Sequence, residues 1–367
     1  MKAAIPHLFV DISSHGFGHL AQTAPILNAL RTLCPAFRLS VRCGLPEAKV
    51  RSRISGDFSF VAGSSDFGFA MNSAVSINLV ETANRYRVFH NNWEQRIGDE
   101  ARFLADLRPT LVLTDVAYLP LAAATRAGIA ALSMCSLNWA ELFAHFFGHE
   151  LWARPIYAEM LAAYRGADCF LRLIPAMPMD ALENTLAIGP VASTGARRRT
   201  ELRQRLGGTA DDRIAMIAFG GIDHELPVEH WPSIPGVRWL VPQEWGVDRP
   251  DMCALEPLGW AFTDLLASVD VVLTKPGYGT FTEATCNGTA VLYQRREDWP
   301  EQDCLIEWLK QNARCLEISA DALATGRLRE TLETLWARAA PPPPQPTGIQ
   351  HAARILCDLL TGDTRSA

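Results

Sequence analysis

Short apolar runs alternate with amphipathic segments along almost the whole chain, in two successive series. This alternation indicates parallel strands, each followed by a helix that crosses back over the sheet. The chain is therefore predicted to be an α/β protein with two doubly wound halves. The predicted strands are HLFVDI, FRLSVRC, FSFVAG, LVLTD, AALSMCS and CFLRLI in the first series, and IAMIAFGG, VRWLVPQ, VVLTK, AVLYQ and CLEIS in the second.

Amphipathic segments fill the gaps between these strands and predict the helices. A helix is also predicted to close the chain, after the proline-rich segment APPPPQPTG, which must be extended because consecutive prolines fix φ and donate no hydrogen bonds. The predicted helices span about 20–33, 84–107, 140–164, 262–268, 279–287, 301–312, 325–338 and 349–360.

The domain boundaries follow from length and composition. A chain of 367 residues exceeds what one hydrophobic core usually organises. The segment 174–191 is rich in Pro and Met and fits neither periodicity, which is typical of a linker. The predicted parts are a first domain at 1–175, a linker at 176–191, a second domain at 192–339, and the proline-rich segment with the closing helix at 340–367.

Charge and composition exclude several classes of partner. The formal net charge of −6 gives no global field for holding nucleic acid. The basic run from Ala196, ARRRTELRQR, is more typical of a solvated helix face than of a phosphate site. No apolar run reaches the ~18 residues of a membrane span, so membrane contact is predicted to be peripheral at most. The start, MKAAIPHLFVDI, has no small-residue cleavage site and is interpreted as the first strand.

Nine cysteines occur without any Cys-x-x-Cys pair, and such an odd, scattered set favours reduced thiols. A cytoplasmic location is therefore expected. Nothing in the sequence indicates an oligomeric state.

The stretch SSHGFGHL, residues 13–20, lies where the first strand is predicted to end. Ligands gather at this edge of a doubly wound sheet, and Gly16 and Gly18 permit a tight turn there. His19 is a candidate general base because its ordinary pKa suits proton removal at neutral pH, whereas capping of the helix is the structural alternative. A metal pair with His15 is disfavoured because the glycine turn disrupts helical geometry, so no metal site is predicted.

A base needs an orienting partner, and Asp115 is the candidate. It ends the apolar run LVLTD, so its carboxylate is predicted to open at the same edge of the sheet as His19. Capping of the following helix is an equally good interpretation.

A second glycine turn lies within residues 259–302, GWAFTDLLASVDVVLTKPGYGTFTEATCNGTAVLYQRREDWPEQ. The strand VVLTK runs into Lys275-Pro276-Gly277-Tyr278-Gly279-Thr280 and then a helix, whose free N–H groups suit a diphosphate. Glu283, one turn further, could accept hydrogen bonds from ribose hydroxyls. An ordinary strand–helix turn is the structural alternative. The fingerprints G-x-G-x-x-G and G-x-x-x-x-G-K-[ST] do not fit, which disfavours a Rossmann dehydrogenase and a P-loop ATPase.

This segment resembles the signature of plant-type UDP-glycosyltransferases, which begins Gly-Trp-Ala and later carries a glycine turn and a glutamate. The chain is similar to nucleotide-sugar glycosyltransferases of the GT-B type, which implies two Rossmann-like domains facing a central cleft. Two departures concern the donor: Lys275 stands where the family usually has His, and Phe262-Thr263 replaces a Pro-Gln pair that helps to read uracil. The resemblance implies that Trp260 stacks on the base, that Lys275 and Gly277 to Thr280 bind phosphate, that Glu283 holds the ribose, and that Glu301 and Gln302 contact the sugar.

The first half supports the same family. SSHGFGHL resembles the glycine-rich loop of the MurG-like enzymes and of the glycosyltransferase-like half of plant arabinose kinases, and the latter also resembles SLNWAELFAHFF and KPGYGTFTEA. In the plant-type enzymes a His in this loop deprotonates the acceptor and a later Asp orients it, roles that the resemblance gives to His19 and Asp115. Gly220 and Gly221 match the glycine loop after the first strand of the second domain.

The resulting expectation is a metal-independent, inverting glycosyltransferase with a nucleotide-sugar donor, UDP-sugar favoured, a hydroxyl-bearing acceptor and no cofactor. A hydrolase or epimerase of nucleotide sugars, or a non-catalytic binding protein, are the alternatives. On the acceptor side, Asn138 and Trp139 are placed near the substrate together with the loop of His15, Gly16 and Gly18. Core packing is the competing interpretation of the aromatic helix that follows Asn138.

Overall fold

The computed structural model describes residues 5–73, 76–220 and 225–362, which form two compact α/β units. Unit 1 contains the residues up to Asn72, Ile77–Val191 and those from Thr347 onward. Unit 2 contains Ala192–Pro346 together with Ser73 and Ser76. Each unit has one sheet, and the predicted fold class of two doubly wound, Rossmann-like domains is confirmed.

The sheet of unit 1 is parallel throughout and has seven strands. Its central strands are completely buried because helices cover both faces of the sheet. The strands are β1 (His7–Ile12), β2 (Arg38–Cys43), β3 (Ser59–Ala62), β4 (Leu111–Asp115), β5 (Ala130–Cys135), β6 (Cys169–Leu173) and β7 (Thr185–Ile188), in the spatial order β3-β2-β1-β4-β5-β6-β7.

Two helices predicted as continuous are split in unit 1. The prediction over 84–107 is wrong because Asn92, with φ −121° and ψ 38°, leaves the helical conformation and separates two helices. The prediction over 140–164 is wrong because the residues 148–152 form turns that begin at Gly148. The helices are α1 (Phe17–Leu33), α2 (Glu47–Arg51), α3 (Leu79–His90), α4 (Trp93–Leu107), α5 (Leu119–Ala127), α6 (Trp139–Phe147) and α7 (Ala153–Arg165).

The segment interpreted as a linker, 176–191, contains a strand. Within it β7 pairs with β6 at the edge of the sheet. Only one of the four residues of β7 is buried. The sequence there therefore lacks the alternation of apolar and polar residues that predicts a strand.

The sheet of unit 2 is also parallel and has six strands. The short strand Met252–Ala254 and the helix Ala320–Thr325 were not predicted, and the helix predicted over 325–338 begins only at Arg329, beyond Gly326, which takes a φ of +66°. The strands are β8 (Arg213–Ile217), β9 (Val237–Val241), β10 (Met252–Ala254), β11 (Val271–Thr274), β12 (Ala290–Tyr293) and β13 (Cys315–Glu317), in the order β10-β9-β8-β11-β12-β13. The helices are α8 (Arg199–Arg205), α9 (Phe262–Ser268), α10 (Tyr278–Cys286), α11 (Glu301–Asn312), α12 (Ala320–Thr325) and α13 (Arg329–Ala337).

The last helix, α14 (Gly348–Thr361), belongs to unit 1, where it packs along α1. Its first residue donates a backbone hydrogen bond to Pro190 O at 3.0 Å. A Cβ on Gly348 would lie 2.1 Å from the carbonyl oxygen of Gly189, so only glycine fits where these two segments cross. Among the described residues, no helix combines the length and the apolar character that a membrane span requires.

Candidate active site

The glycine turn after β1 opens at the carboxyl edge of the first sheet. Gly16 is the N-cap of α1 with φ 89° and ψ 175°, a conformation essentially restricted to glycine. No side chain caps α1, and its first turn holds no acidic residue. Phe17 and Gly18 are exposed, whereas the His19 residue just beyond them is only 6% exposed. The turn therefore exposes the positive end of α1 directly above a buried histidine.

His19 and Asp115 form a hydrogen-bonded pair. The register of β1 with β4 sets Ile12 beside Asp115, so the loop that carries His19 starts next to the aspartate. Nδ1–H of His19 donates to Oδ1 of Asp115 at 2.7 Å, and the Thr23 hydroxyl donates to Oδ2 at 2.7 Å. Both carboxylate oxygens thus have partners, and the imidazole orientation is fixed.

The two structural alternatives for this pair are wrong. The N-cap of α1 is Gly16, so His19 does not cap that helix. The N-cap of α5 is Tyr118, and no side chain caps that helix. The carboxylate of Asp115 is instead fully buried beneath His19.

The protonation of His19 follows from this environment. Burial lowers the pKa of His19, but the charge of Asp115 and the hydrogen bond to it raise that pKa well above its usual 6.5. Because a carboxylate only accepts, Nδ1 carries a proton in both forms of the ring. The ring nitrogen that remains available to gain or lose a proton is therefore Nε2.

A metal could be considered at this pair, because ligand atoms of His19, Asp115 and Cys135 lie within 4.8 Å of one another. However, Nδ1 of His19 is committed to Oδ1 of Asp115, and the Thr23 hydroxyl occupies Oδ2 of the same carboxylate. The chemistry of these three groups fits a hydrogen-bonded pair better than a metal centre.

His15 and Trp139 form the wall beside His19. The Nε2–H of His15 donates to the carbonyl oxygen of Phe69 at 3.1 Å, which ties the turn to the segment after β3. The His15 and Trp139 rings meet edge to face with centroids 5.3 Å apart, and the Trp139 and His19 centroids are 5.8 Å apart. His15 therefore shapes the loop.

The two residues placed near the acceptor, Asn138 and Trp139, are both completely buried. The side-chain oxygen of Asn138 accepts from the backbone N–H of Glu141 at 2.8 Å and so caps α6. Both side chains pack in the core of unit 1, Trp139 next to His19, and their contact with an acceptor stays a prediction.

Asp66 was not predicted from the sequence as a residue of this site. It lies between β3 and α3, where Trp139 Nε1–H donates to its Oδ2 at 2.7 Å and the Ser13 hydroxyl donates to its Oδ1 at 3.1 Å. Burial and the nearby Asp11 raise the pKa of Asp66 to about 6, although Trp139, Ser13 and His19 oppose the shift. The available signal was the same as for Asp115, an aspartate just past a predicted strand.

The second glycine turn lies at the carboxyl end of β11. Gly277 is the N-cap of α10, no side chain caps this helix, and its first turn contains no acidic residue. Pro276 and Tyr278 are buried, whereas Gly279 and Thr280 are partly exposed. This helix N-terminus therefore has the features of an anion site.

Two cations accompany this turn, Lys275 and Arg296. The Nζ of Lys275 lies 3.8 Å from where a Cβ on Gly277 would be, so it points to the start of α10. Burial and the nearby Arg296 lower the pKa of Lys275 to about 8, against the opposing charge of Glu301. Burial also lowers the pKa of Arg296 to about 10. Arg296 was not predicted as a site residue. The available signal was the pair Arg295-Arg296, which directly follows the predicted strand AVLYQ.

Glu301 and Gln302 are buried and support the loop that carries Arg296. The Gln302 side chain accepts from the backbone N–H of Arg296 at 2.9 Å and donates to its carbonyl oxygen at 3.2 Å. The Trp299 indole N–H donates to the Glu301 carboxylate at 3.0 Å. Their sugar contact stays a prediction.

The other residues predicted to bind the donor, Trp260, Glu283 and Gly220, lie on three different segments of unit 2. The guanidinium of Arg198 lies over the Trp260 ring, 3.8 Å from its centroid, so that part of the basic run packs on the tryptophan. Glu283 is partly exposed on α10, and Gly220 follows β8 with a φ of +86°. Gly221 lies outside the described residues.

The sequence of the chain was compared with family models and with curated proteins. No protein-family model matches the chain. The L-arabinokinase of Arabidopsis thaliana is 22% identical over 306 residues, which make up 82% of this chain and 29% of that protein. The chain thus spans less than a third of the length of this curated relative.

Solved glycosyltransferase structures match over nearly the whole chain. The calicheamicin glycosyltransferase CalG4 has a TM-score of 0.62 and 15% identity, covering 99% of this chain and 95% of that one. A UDP-glucosyltransferase from Polygonum tinctorium has a TM-score of 0.60 and 14% identity, covering 98% and 100%. At these identities the likeness establishes the fold, which is that of the GT-B glycosyltransferases.

Proposed function

We propose that this protein transfers a sugar from a nucleoside diphosphate sugar to a hydroxyl group of an acceptor, without a metal and with inversion at the anomeric carbon. The observation that carries the proposal is the 2.7 Å hydrogen bond between His19 and Asp115 below an open glycine turn. The cations at the start of α10 and the fold support it further. The name of the UDP-glucosyltransferase neighbour favours UDP as the nucleotide.

In unit 1, His19 acts as the general base. Its neutral Nε2 takes the proton of the acceptor hydroxyl, whose oxygen attacks the anomeric carbon as the bond to the diphosphate breaks. Asp115 stabilises the resulting imidazolium through the bond to Nδ1. Because the pKa of His19 is raised in the free protein, the active base form grows as pH rises.

In unit 2, the charges suit a departing nucleoside diphosphate. Lys275, Arg296 and the positive N-terminal end of α10 would bind its phosphate oxygens and offset the negative charge that develops on them. Stacking of the base on Trp260 and binding of the ribose by Glu283 remain parts of the proposal, as do the sugar contacts of Glu301 and Gln302. No cofactor is required beyond the donor itself.

The test is incubation of the protein with UDP-sugars and a panel of hydroxyl-bearing acceptors. We expect UDP release that depends on the acceptor, and NMR of the product should show the anomeric configuration opposite to that of the donor. UDP release that no acceptor accelerates would instead indicate a hydrolase. Binding of a nucleotide without release in any combination would indicate a non-catalytic binding protein.

A further inference from the structure

Asp66 joins three loops at the edge of the sheet where His19 lies. Its own segment follows β3, Ser13 follows β1, and Trp139 begins α6 after β5. The rings of Trp139 and His19 are 5.8 Å apart, so the carboxylate that holds Trp139 belongs to the same site. Asp66 is partly exposed, unlike Trp139 and Asp115, and a ligand can therefore reach it.

The charge of Asp66 lacks the ion pair that two buried carboxylates of the same chain, Asp11 and Asp270, receive. Asp11 is paired with Arg42 at 2.5 Å, and Asp270 is paired with Arg213 at 2.9 Å. Asp66 accepts instead from neutral groups, the hydroxyls of Ser13 and Ser64 and the indole of Trp139. Within the described residues, no lysine, arginine or histidine forms an ion pair with it.

The charge of His19 does not resolve this imbalance. When His19 is protonated, its charge is matched by Asp115, to which it is directly bonded. When His19 is neutral, as a general base must be, both Asp66 and Asp115 are uncompensated. A half-buried carboxylate without a counter-charge is costly, and a neutral Asn could accept the Trp139 hydrogen bond equally well.

We propose that Asp66 binds the acceptor and that the group it binds is a protonated amine. This inference rests on the proposed transferase function and assigns the acceptor to a chemical class, that of hydroxyl compounds that also carry an amino group. A charge-assisted hydrogen bond to Asp66 would position such an acceptor with its hydroxyl toward Nε2 of His19. An anionic acceptor would be repelled by the same carboxylate.

The indole N–H of Trp139 is a direct reporter of this binding, because it donates to Asp66. Its ¹H–¹⁵N resonance, assigned with Trp139→Phe, can be followed while the protein is titrated with glucosamine, glucose or glucuronate. These sugars share one ring and differ in charge. We expect glucosamine to shift the resonance saturably, with an affinity roughly tenfold above that of glucose, and glucuronate to bind least.

The Asp66→Asn variant should reduce glucosamine affinity to that of glucose. The matched control is Asp106→Asn, which removes an exposed carboxylate on α4 of the same unit and should change nothing. If Asp66→Asn does not fold, Asp66→Glu should weaken glucosamine binding by displacing the charge. Equal affinities for glucosamine and glucose, an unchanged affinity in the Asp66 variant, or no response to any of the three sugars would overturn the inference.

UDP binding, measured in parallel, distinguishes a failure of the acceptor assignment from a failure of the proposed transferase function. If UDP binds and acceptor-dependent transfer occurs but Asp66 makes no difference, only the assignment of the acceptor fails. If no nucleotide binds and no transfer occurs, the proposed function fails, whatever the Trp139 resonance shows.

Discussion

The two glycine turns of this molecule are built alike and differ in charge. Each follows a buried parallel strand and leads into a helix with no side-chain cap and no acidic residue in its first turn. The turn at Gly16 lies above His19 and the fully buried carboxylate of Asp115, whereas the turn at Gly277 lies beside the cations Lys275 and Arg296. In the proposed mechanism the same type of turn therefore serves proton removal in unit 1 and anion binding in unit 2.

Part of this difference arises from side chains outside the turns themselves. Asp115 comes from the neighbouring strand β4, and Arg296 comes from the loop after β12. A helix N-terminus attracts negative charge in either case, so the flanking residues decide which chemistry follows. Variants that change one turn and leave the other intact test this division of roles.

The largest effect is expected from His19→Ala. Loss of a positioned general base should lower turnover by about 10² to 10⁴-fold, while the affinity for UDP stays nearly unchanged because the anion site is intact. Steady-state kinetics and calorimetric UDP titration measure the two quantities. His149→Ala, an exposed histidine of the same unit, is the control. Turnover close to that of the unaltered protein would remove His19 from the mechanism.

The reverse pattern is expected from Lys275→Ala. Loss of a charge-assisted hydrogen bond should raise the Kd for UDP by roughly 10- to 100-fold, because such bonds contribute about 1.5–3 kcal/mol. The pKa of His19, followed by NMR, should not move. Lys310→Ala removes an exposed lysine of α11 and serves as the control. An unchanged UDP affinity in Lys275→Ala would locate the anion site elsewhere.

The two turns should also respond to pH in opposite directions. Lys275 binds phosphate only when protonated and its pKa is about 8, so UDP affinity should fall by up to roughly tenfold per pH unit above that value. The base form of His19 increases over the same range, since it is the deprotonated ring that acts. Calorimetry on both sides of pH 8 measures the first trend and rates at saturating donor the second. Lys275→Arg should abolish the first trend only; its persistence in that variant would exclude Lys275 as the titrating group.

The smallest effect concerns the glycines themselves. Gly16 has φ 89° and ψ 175°, where a side chain costs about 1–3 kcal/mol, although a Cβ there would meet no atom within 4 Å. Gly277 has an extended φ of −160°, which any residue adopts. Gly16→Ala should therefore lower the midpoint of urea unfolding, and Gly277→Ala should leave it almost unchanged. Equal shifts in both variants would show that Gly16 is not held in this conformation.

The central strands were predictable because burial on both faces makes them continuous apolar runs, as in LVLTD and VVLTK. Edge strands such as β7 carry no such signal, since most of their side chains are not buried. The breaks at Asn92 and Gly148 were missed because an amphipathic pattern continues across each of them. The first break comes from the backbone conformation of Asn92, and hydrophobic periodicity is insensitive to such a local change.

The candidate site was predictable where a residue follows a strong strand, as His19, Asp115 and Lys275 do. The sheet topology brings such strand ends to one edge, which makes the pairing of His19 with Asp115 foreseeable. Asp66 and Arg296 lie in irregular loops, and their significance depends on burial and on neighbours distant in the sequence. The contact of the Arg198 guanidinium with the Trp260 ring likewise depends on how α8 packs, and no sequence motif predicts it.

The return of α14 to unit 1 has a consequence for the order in which the molecule is made. Nearly all of unit 2 is one continuous stretch of chain. All of its residues have therefore been synthesised once residue 346 has left the ribosome. Unit 1, although it begins first, lacks the helix that packs along α1 until synthesis has passed residue 361. The unit that holds His19 is therefore completed after the other unit during translation.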